Sequence, residues 1–592
     1  MRPLLALIAA TAVSLPAPPS THALQAATQP PSAGASSDAA PRARNVILFI
    51  GDGVDDHQLA IGRNYLFGAG GAYSFEEMPV RSALRVLTVD EDDPQRPLYV
   101  GDSASGGTAL AAGVVTSMGR ISTTAGADED TPTIVELAEE AGWTTGIVVT
   151  SSITDATPAS FYAHVAVRYC EGPDDMGGSM GGVRPGCPDD LASAGGPGSI
   201  AEQLAPSGVD LALGGGSTPF AEVVPGTPPG AVPGQTPGQT PGQTPGSGSY
   251  DDGTSSGQQN GGGAGAAGDE AEPGDASAAS GIASDDPGSS DGSTPSGAAG
   301  DEPAATTVLD LARAAGYRVV TDAEELAAAT ELPLLGLFGA STLPVEWIGE
   351  GGRSARLIEI GEDGEPTIPE PFACVDNPAF GSRPTLEAMT RKAIQLLAAA
   401  TSASTGSTSA AAGPASSGAA ASATSASGSA TSGSASSGSD ALPTPGFFLM
   451  VESASIDKQA HAANPCGQIG ELQALDQAVQ VALEFQQRHP DTLILVTSDH
   501  GHAGQIVPYP SLFESLGRAQ GLPQHPAGKF ARLSTPEGGE MAVTYGTNER
   551  FIEEHTGPAV PLYAAGPGAE LVRPLMDQSE VFEVMKAAMG LE

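Results

Sequence analysis

The sequence predicts an α/β fold: a three-layer sandwich around a central, mostly parallel β-sheet. Several short runs are apolar almost from end to end, among them Asn45 to Ile50 (NVILFI), Gly446 to Val451 (GFFLMV) and Thr492 to Thr497 (TLILVT). A strand covered by helices on both faces reads this way, whereas a half-exposed strand alternates. Helical patterns separate the runs, which is the βα alternation of a parallel sheet. In addition, an acid follows each run: Asp52, Glu452 and Asp499 after the three above, and Asp155 after Thr144 to Thr150 (TTGIVVT). The carboxyl ends of parallel strands lie along one edge, where open α/β sheets hold their ligands.

Taken in order, the chain begins with Arg2 and a largely apolar stretch from Leu4 to Pro16, then Thr21-His22-Ala23. This reads as an export signal over residues 1–23. Residues 24–43 are Ala/Pro/Ser-rich, a flexible leader, and the folded domain is expected over 44–592. The stretch Tyr99 to Gly119 (YVGDSASGGTALAAGVVTSMG) carries a small-residue segment, Ala104 to Val115, that can form a helix. Ser103 would then sit at the helix N-terminus, where the dipole and free N–H groups favour an anion and a serine alkoxide. Alone, Asp102 and Ser103 would read as helix caps. A helix is expected over 132–142, a helical stretch with His164, Arg168 and Cys170, and a short strand at Leu211 to Gly216.

From about 225 to 305 the composition shifts to a PGQT repeat and then Gly/Ser/Asp/Ala-rich sequence, with eleven acids and no Lys or Arg. Such a segment cannot bury enough apolar surface to offset its ordering entropy, so it reads as a disordered insert. Beyond it come a helix (Thr306 to Gly316), strands at Tyr317 to Val320 and Leu332 to Phe338, and an amphipathic helix from Thr385 to Ala400. A second low-complexity insert of Ser, Ala, Gly and Thr occupies about 401–443. After Glu452 come Asp457, Lys458 and His461, then a helix over Leu472 to Arg488. Met541 to Tyr545 reads as a strand, His555 lies in a loop, and Glu580 to Ala588 closes the chain as a helix.

Composition narrows the function. The 592 residues carry a formal net charge of -45, with only 25 Lys+Arg. That excludes nucleic acid and anionic membrane surfaces as partners. No apolar run after the N-terminus is long enough to span a bilayer. Four cysteines, Cys170, Cys187, Cys374 and Cys466, suggest two disulfides in an exported chain, with three possible connectivities.

Several carboxylates converging on one sheet edge would repel one another unless cations neutralise them. Asp457 and His461, four apart, share a face if helical. Asp499 and His500 are adjacent at a strand end, and His555 is a third histidine in a similar setting. Mixed histidine and carboxylate ligands without thiolate suit zinc in an open catalytic site.

The segments NVILFIGDG, YVGDSASGGTA, TDATPASFYAHVAVRYC, VESASIDKQAHAANPCGQIGE, TLILVTSDHGHAGQIV and EHTG resemble bacterial alkaline phosphatase of the periplasmic type, over about 44–222 and 305–592. The resemblance implies hydrolysis of small phosphate monoesters through a phosphoserine on Ser103, in a homodimer exported to the periplasm. It implies two zinc ions and one magnesium per subunit. Asp457, His461 and His555 would hold one zinc, Asp52, Asp499 and His500 the other, and Asp52, Thr157 and Glu452 the magnesium. Arg168 would grip two phosphate oxygens, which a guanidinium fork does and a lysine cannot. Asp155 and Lys458 match the variant with an Asp/Lys pair beside the phosphate, and Asp102 and His502 would support the site without binding a cation. Disulfides Cys170–Cys187 and Cys374–Cys466 are implied as well. The chain departs from the family at Val54 to His57, at Gly101 in place of a Thr, and at Ser105-Gly106-Gly107, a looser run than usual. A sulfatase would need a C/S-x-P-x-R pattern that Ser103 lacks. A diesterase would not need Arg168 on two free oxygens, and a non-catalytic phosphate scavenger would need no serine nucleophile.

Overall fold

Ten strands form the central sheet: β1 (Asn45–Gly51), β2 (Val80–Arg85), β3 (Thr144–Ser152), β4 (Leu211–Gly215), β5 (Arg318–Val320), β6 (Leu334–Leu337), β7 (Phe447–Ser453), β8 (Thr492–Thr497), β9 (Val560–Ala565) and β10 (Leu575–Asp577). Their order across the sheet is β10-β2-β9-β8-β1-β7-β3-β4-β6-β5. Only β9 runs against its neighbours, pairing antiparallel with β8 and β2. The structure is a computed structural model and describes residues 42–178, 185–225, 306–363, 365–407, 445–510, 517, 519, 520 and 525–591.

Alternation along the central strands assigns side chains to two cores. Val46, Leu48 and Ile50 of β1 join Ile147, Val149, Phe448 and Met450 on one face. Helices α2 (Ser103–Ala112), α3 (Ile134–Glu140) and α8 (Glu580–Met589) cover that face. Ile47 and Phe49 join Val148, Phe447, Leu449 and Val451 on the other. There α1 (Asp56–Phe67), α5 (Leu386–Ser407) and α7 (Pro465–Arg488) form the third layer. Both faces being dry is why these strands read as continuous apolar runs. A smaller four-stranded sheet, built from 356–357, 529–534, 540–545 and 505–507, packs around Phe372, Leu533 and Tyr545. The Cys374–Cys466 disulfide ties this region to the first turn of α7, and Cys170 pairs with Cys187.

The sandwich and its parallel centre match the expectation. Several boundaries differ. The stretch with His164, Arg168 and Cys170 is not a helix: after the single turn α4 (Ala156–Ala159) the chain is irregular. It is held instead by a bridge between Val165 and Ile121 and by the Arg168 N–H donating to Gly119 O at 2.7 Å. Helix α2 stops at Ala112 because Gly113 turns left-handed at φ 71°. Helix α7 begins seven residues before Leu472, with Asn464 capping it and Pro465 in its first turn. Helix α5 continues through Ser407, into the stretch read as an insert. Ala43, assigned to the leader, is fully buried and donates its N–H to Ala588 O. The export signal, the leader before residue 42, and the two inserts beyond 225 and 407 lie outside the described residues. Among the described residues no helix is long and apolar enough to cross a membrane.

Candidate active site

Strands β1, β7 and β8 lie side by side, in register from Asn45 opposite Phe447 and Thr492. Their carboxyl ends therefore deliver Asp52, Glu452 and Asp499 to one place. Helix α6 (Ser455–His461) follows β7 after a single residue and brings in Asp457, Lys458 and His461. Helix α2 points its N-terminus at the same edge, and Ser103 is its first residue, capped by Asp102.

The acids and histidines form two overlapping clusters. Asp457, His461, His502 and His555 make one, and Asp52, Asp457 and His500 the other. Asp457 belongs to both. Its Oδ1 lies 3.3 Å from His555 Nε2 and 4.0 Å from His500 Nε2, and its Oδ2 lies 3.4 Å from His461 Nε2. His500 Nε2 is also 3.4 Å from Asp52 Oδ1 and 3.5 Å from Asp499 Oδ2. The ring partners distinguish ligands from supports. With the proton on Nδ1, His461, His500 and His555 donate it to the carbonyls of Glu553, Gly501 and Gly101, leaving Nε2 as a lone pair toward the acids. His502 is reversed: its Nδ1 accepts from the Ala503 N–H at 2.7 Å, so the neutral ring carries its proton on Nε2, facing Asp457. His502 thus turns an N–H rather than a lone pair toward Asp457, although it sits within the cluster.

These residues fit divalent cations. Asp52 Oδ1, Asp457 Oδ1 and Asp499 Oδ2 are buried without a hydrogen-bond partner, while Asp499 Oδ1 is satisfied by the N–H groups of Gly53 and His500. His502 Nε2 is the one donor near them, 3.2 Å from Asp457 Oδ1; the Asp52 and Asp499 oxygens face the His500 lone pair with no donor between, which is the complement of a cation. Burial, then Asp499, Asp457 and Glu452, holds the Asp52 carboxyl well above its usual range. Burial, with Asp155 and Asp499 beyond it, pushes Glu452 up to about 8. Its carboxylate accepts from the hydroxyls of Ser151 and Thr157. Asp457 lies well below the carboxylate range, because burial is outweighed by His461, His502 and His555.

Beside the cation ligands lies a cationic cradle. Ser103, 4% exposed, has its Oγ 3.3 Å from His500 Nε2. Arg168 donates from one terminal nitrogen to Asp102 at 3.2 Å and from the other to Asp155 at 3.1 Å. Lys458 donates to the second oxygen of Asp155 at 2.7 Å. Burial would raise the Asp155 carboxyl, but Lys458 and Arg168 together depress it strongly. The Asp/Lys pair is present, and Arg168 is held by two acids in reach of Ser103's helix.

All the candidate residues meet at this edge. Three features did not show in the sequence. Asp457 is shared by both clusters. Glu553, fully buried, orders the 547–554 loop by accepting from the N–H groups of Thr547 and Asn548, and its carbonyl orients His461. The run Ser105-Gly106-Gly107 is not loose: a Cβ on Gly106 would stand 2.5 Å from Asp499 O, and one on Gly107 2.9 Å from Ser160 Oγ. A Gly-Gly pair in a small-residue helix is the one local signal that could have announced this close approach.

The family model for alkaline phosphatase matches residues 43–234 and 441–550. The chain is 35% identical over 571 residues to the streptomycin-6-phosphate phosphatase of Streptomyces griseus, covering 95% of this chain and 94% of that protein. It is 33% identical over 559 residues to the alkaline phosphatase of Escherichia coli strain K12, covering 93% and 87%. Among solved structures, the alkaline phosphatase from the Antarctic bacterium TAB5 shares the fold with a TM-score of 0.52 at 18% identity, covering 93% of this chain and 99% of that one.

Proposed function

Because the chain belongs to the alkaline phosphatase family and hydrolyses phosphate monoesters, we propose that it does so by passing the phosphoryl group first to Ser103 and then to water. The supporting observation is the buried Ser103 hydroxyl at the N-terminus of α2, against His500 and within the Asp102–Arg168–Asp155–Lys458 cradle.

Asp102 and Asp155 hold both ends of the Arg168 guanidinium, so its plane is set before substrate arrives and little rotamer entropy is lost on gripping two phosphoryl oxygens. Lys458, steadied by Asp155, adds positive charge on the same side. Free N–H groups of the first turn of α2 favour negative charge at Ser103. In the first step the Ser103 hydroxyl gives up its proton as the Oγ–P bond forms, the bond from phosphorus to the alcohol oxygen breaks, and that oxygen leaves carrying a proton in exchange. In the second, water breaks the Ser103 Oγ–P bond, its proton returns to Ser103, and inorganic phosphate leaves. Zinc held by Asp457, His461 and His555, zinc held by Asp52, Asp499 and His500, and magnesium held by Asp52, Thr157 and Glu452 would neutralise the acids, lower the pKa of the attacking hydroxyl and stabilise the leaving oxygen.

Ser103→Ala should lower monoester turnover by roughly a thousandfold or more. Its metal content should stay at the wild-type level, since the hydroxyl is not needed to hold cations. With labelled substrate and an acid quench, the wild type should carry covalent phosphate and the variant none; label trapped on Ser103→Ala would rule the nucleophile out. We read residues 1–23 as an export signal that delivers the chain to the periplasm, an oxidising compartment in which its disulfides can form. We also read the active form as a homodimer, which light scattering tests: a monomer at micromolar concentration removes that reading.

A further inference from the structure

A cavity of about 480 Å³ borders the active site at His461; its lining includes the apolar Leu357, Phe551 and Ile552 and the charged Arg356, Glu359, Lys529 and Glu549. That volume falls within the roughly 300–1,000 Å³ of small-molecule pockets. Its apolar wall is open to solvent: Phe551 is 55% exposed and Leu357 42%. Two such side chains facing one cavity are unlike scattered surface apolar residues, because a ligand entering it would cover both at once.

The cavity meets the cation cluster at His461. From Ser103, contacts run to His500 Nε2, from there to Asp457 Oδ1, from Asp457 to His555 and His461, and from His461 to the cavity. Arg168 and Asp102 lie at the Ser103 end of this path. In an in-line displacement the leaving oxygen departs opposite the nucleophile. An alcohol that departs opposite Ser103 on the His461 side would meet this cavity.

We propose that this cavity is a leaving-group subsite that selects phosphate monoesters whose alcohol carries an apolar, ring-sized group, with Phe551 and Leu357 as its contact surface. The proposal rests on the reading of Ser103 as nucleophile. The lining charges are two of each sign, Arg356 and Lys529 against Glu359 and Glu549, so they set up no net charge for an uncharged ring to displace. Lys529 is committed to Glu553 at 2.9 Å and to the Phe551 carbonyl at 2.7 Å. The loop that carries Phe551 is held through its backbone, the Phe551 N–H donating to Asn548 Oδ1 at 3.1 Å. Truncating the Phe551 side chain leaves both backbone contacts in place.

The test compares 2-phenylethyl phosphate with ethyl phosphate, two alkyl esters of similar leaving-group basicity, so that contact with the ring is the main difference. The wild type should favour the phenylethyl ester in kcat/KM by about tenfold, the lower end of what an added apolar contact achieves in a pocket. Phe551→Ala should bring the two esters within about twofold by lowering kcat/KM for the phenylethyl ester alone, Phe551→Trp should keep the preference, and Leu357→Ala should lower it partially. A wild type with no preference, or a preference that survives both alanine variants, overturns the subsite. A wild type that cleaves both esters but carries no covalent phosphate at Ser103 overturns the nucleophile reading instead.

Discussion

Asp457 contributes a carboxylate to both clusters, with Oδ2 toward His461 and Oδ1 toward His555 and His500. Its neighbours oppose any enlargement beside it: Gly53, at φ +70°, would bring a Cβ within 3.1 Å of Asp457 Oδ1. Asp457→Asn should therefore deplete cations at both clusters, whereas His461→Ala should spare the one formed by Asp52, Asp457 and His500. Elemental analysis of dialysed protein checks this, and equal metal loss in the two variants would show that Asp457 serves a single site. Asp52, Glu452, Asp499 and His500 were legible because they follow buried strands, and Asp457 and His461 because they sit at helical spacing; His555, in a loop, and Thr157 carry no such signal. The sharing of Asp457 was not legible either, since it depends on which chain segments meet across the sheet edge. Nor was the reversal of His502 legible: the backbone N–H of Ala503 sets its tautomer, and His500 two residues earlier gives no hint of the difference.

Helix α2 is the element whose composition matters most. All ten of its residues are buried, and Gly106 and Gly107 are where Asp499 and α4 approach its backbone. At Gly106 a side chain cannot be absorbed by rotamer change, because the atom it would meet is the Asp499 carbonyl. Gly106→Ala should cost about 1–3 kcal/mol in chemical denaturation, the usual range for overpacking. It should also lower kcat, as Asp499 and Ser103 move apart; full activity would mean that the helix can shift without disturbing the site. The strands carrying the ligands were readable for a plain reason. β1, β7 and β8 are wrapped on both faces and spell out their burial as uninterrupted apolar sequence. β2 (VRSALR) is half-exposed and mixes charge with apolar residues, and β9 (VPLYAA) contains Pro561, so neither announces itself. The 164–170 stretch suggested a helix through its composition, but contacts to Ile121 and Gly119, distant in sequence, decide its path.

At the scale of the whole molecule, the first insert enters and leaves through one clamp. Val223 bridges Thr307 antiparallel, Val224 N–H donates to Thr306 O at 3.0 Å, and Val308 N–H donates to Glu222 O at 3.0 Å. The chain on either side of residues 226–303 is thus already brought together by the folded domain. Replacing that segment with a short Gly/Ser linker should leave activity near wild type and stability unchanged or higher by up to about 2 kcal/mol, because a shorter loop costs less to close. Calorimetry and phosphatase assays check it, and a large drop in melting temperature would mean that the segment packs against the domain. The same clamp makes the enzyme a carrier. A sequence with closely spaced ends spliced between Pro225 and Thr306 keeps the clamp intact and should ride on the catalyst as cargo, its presence reported by colour from a chromogenic phosphate.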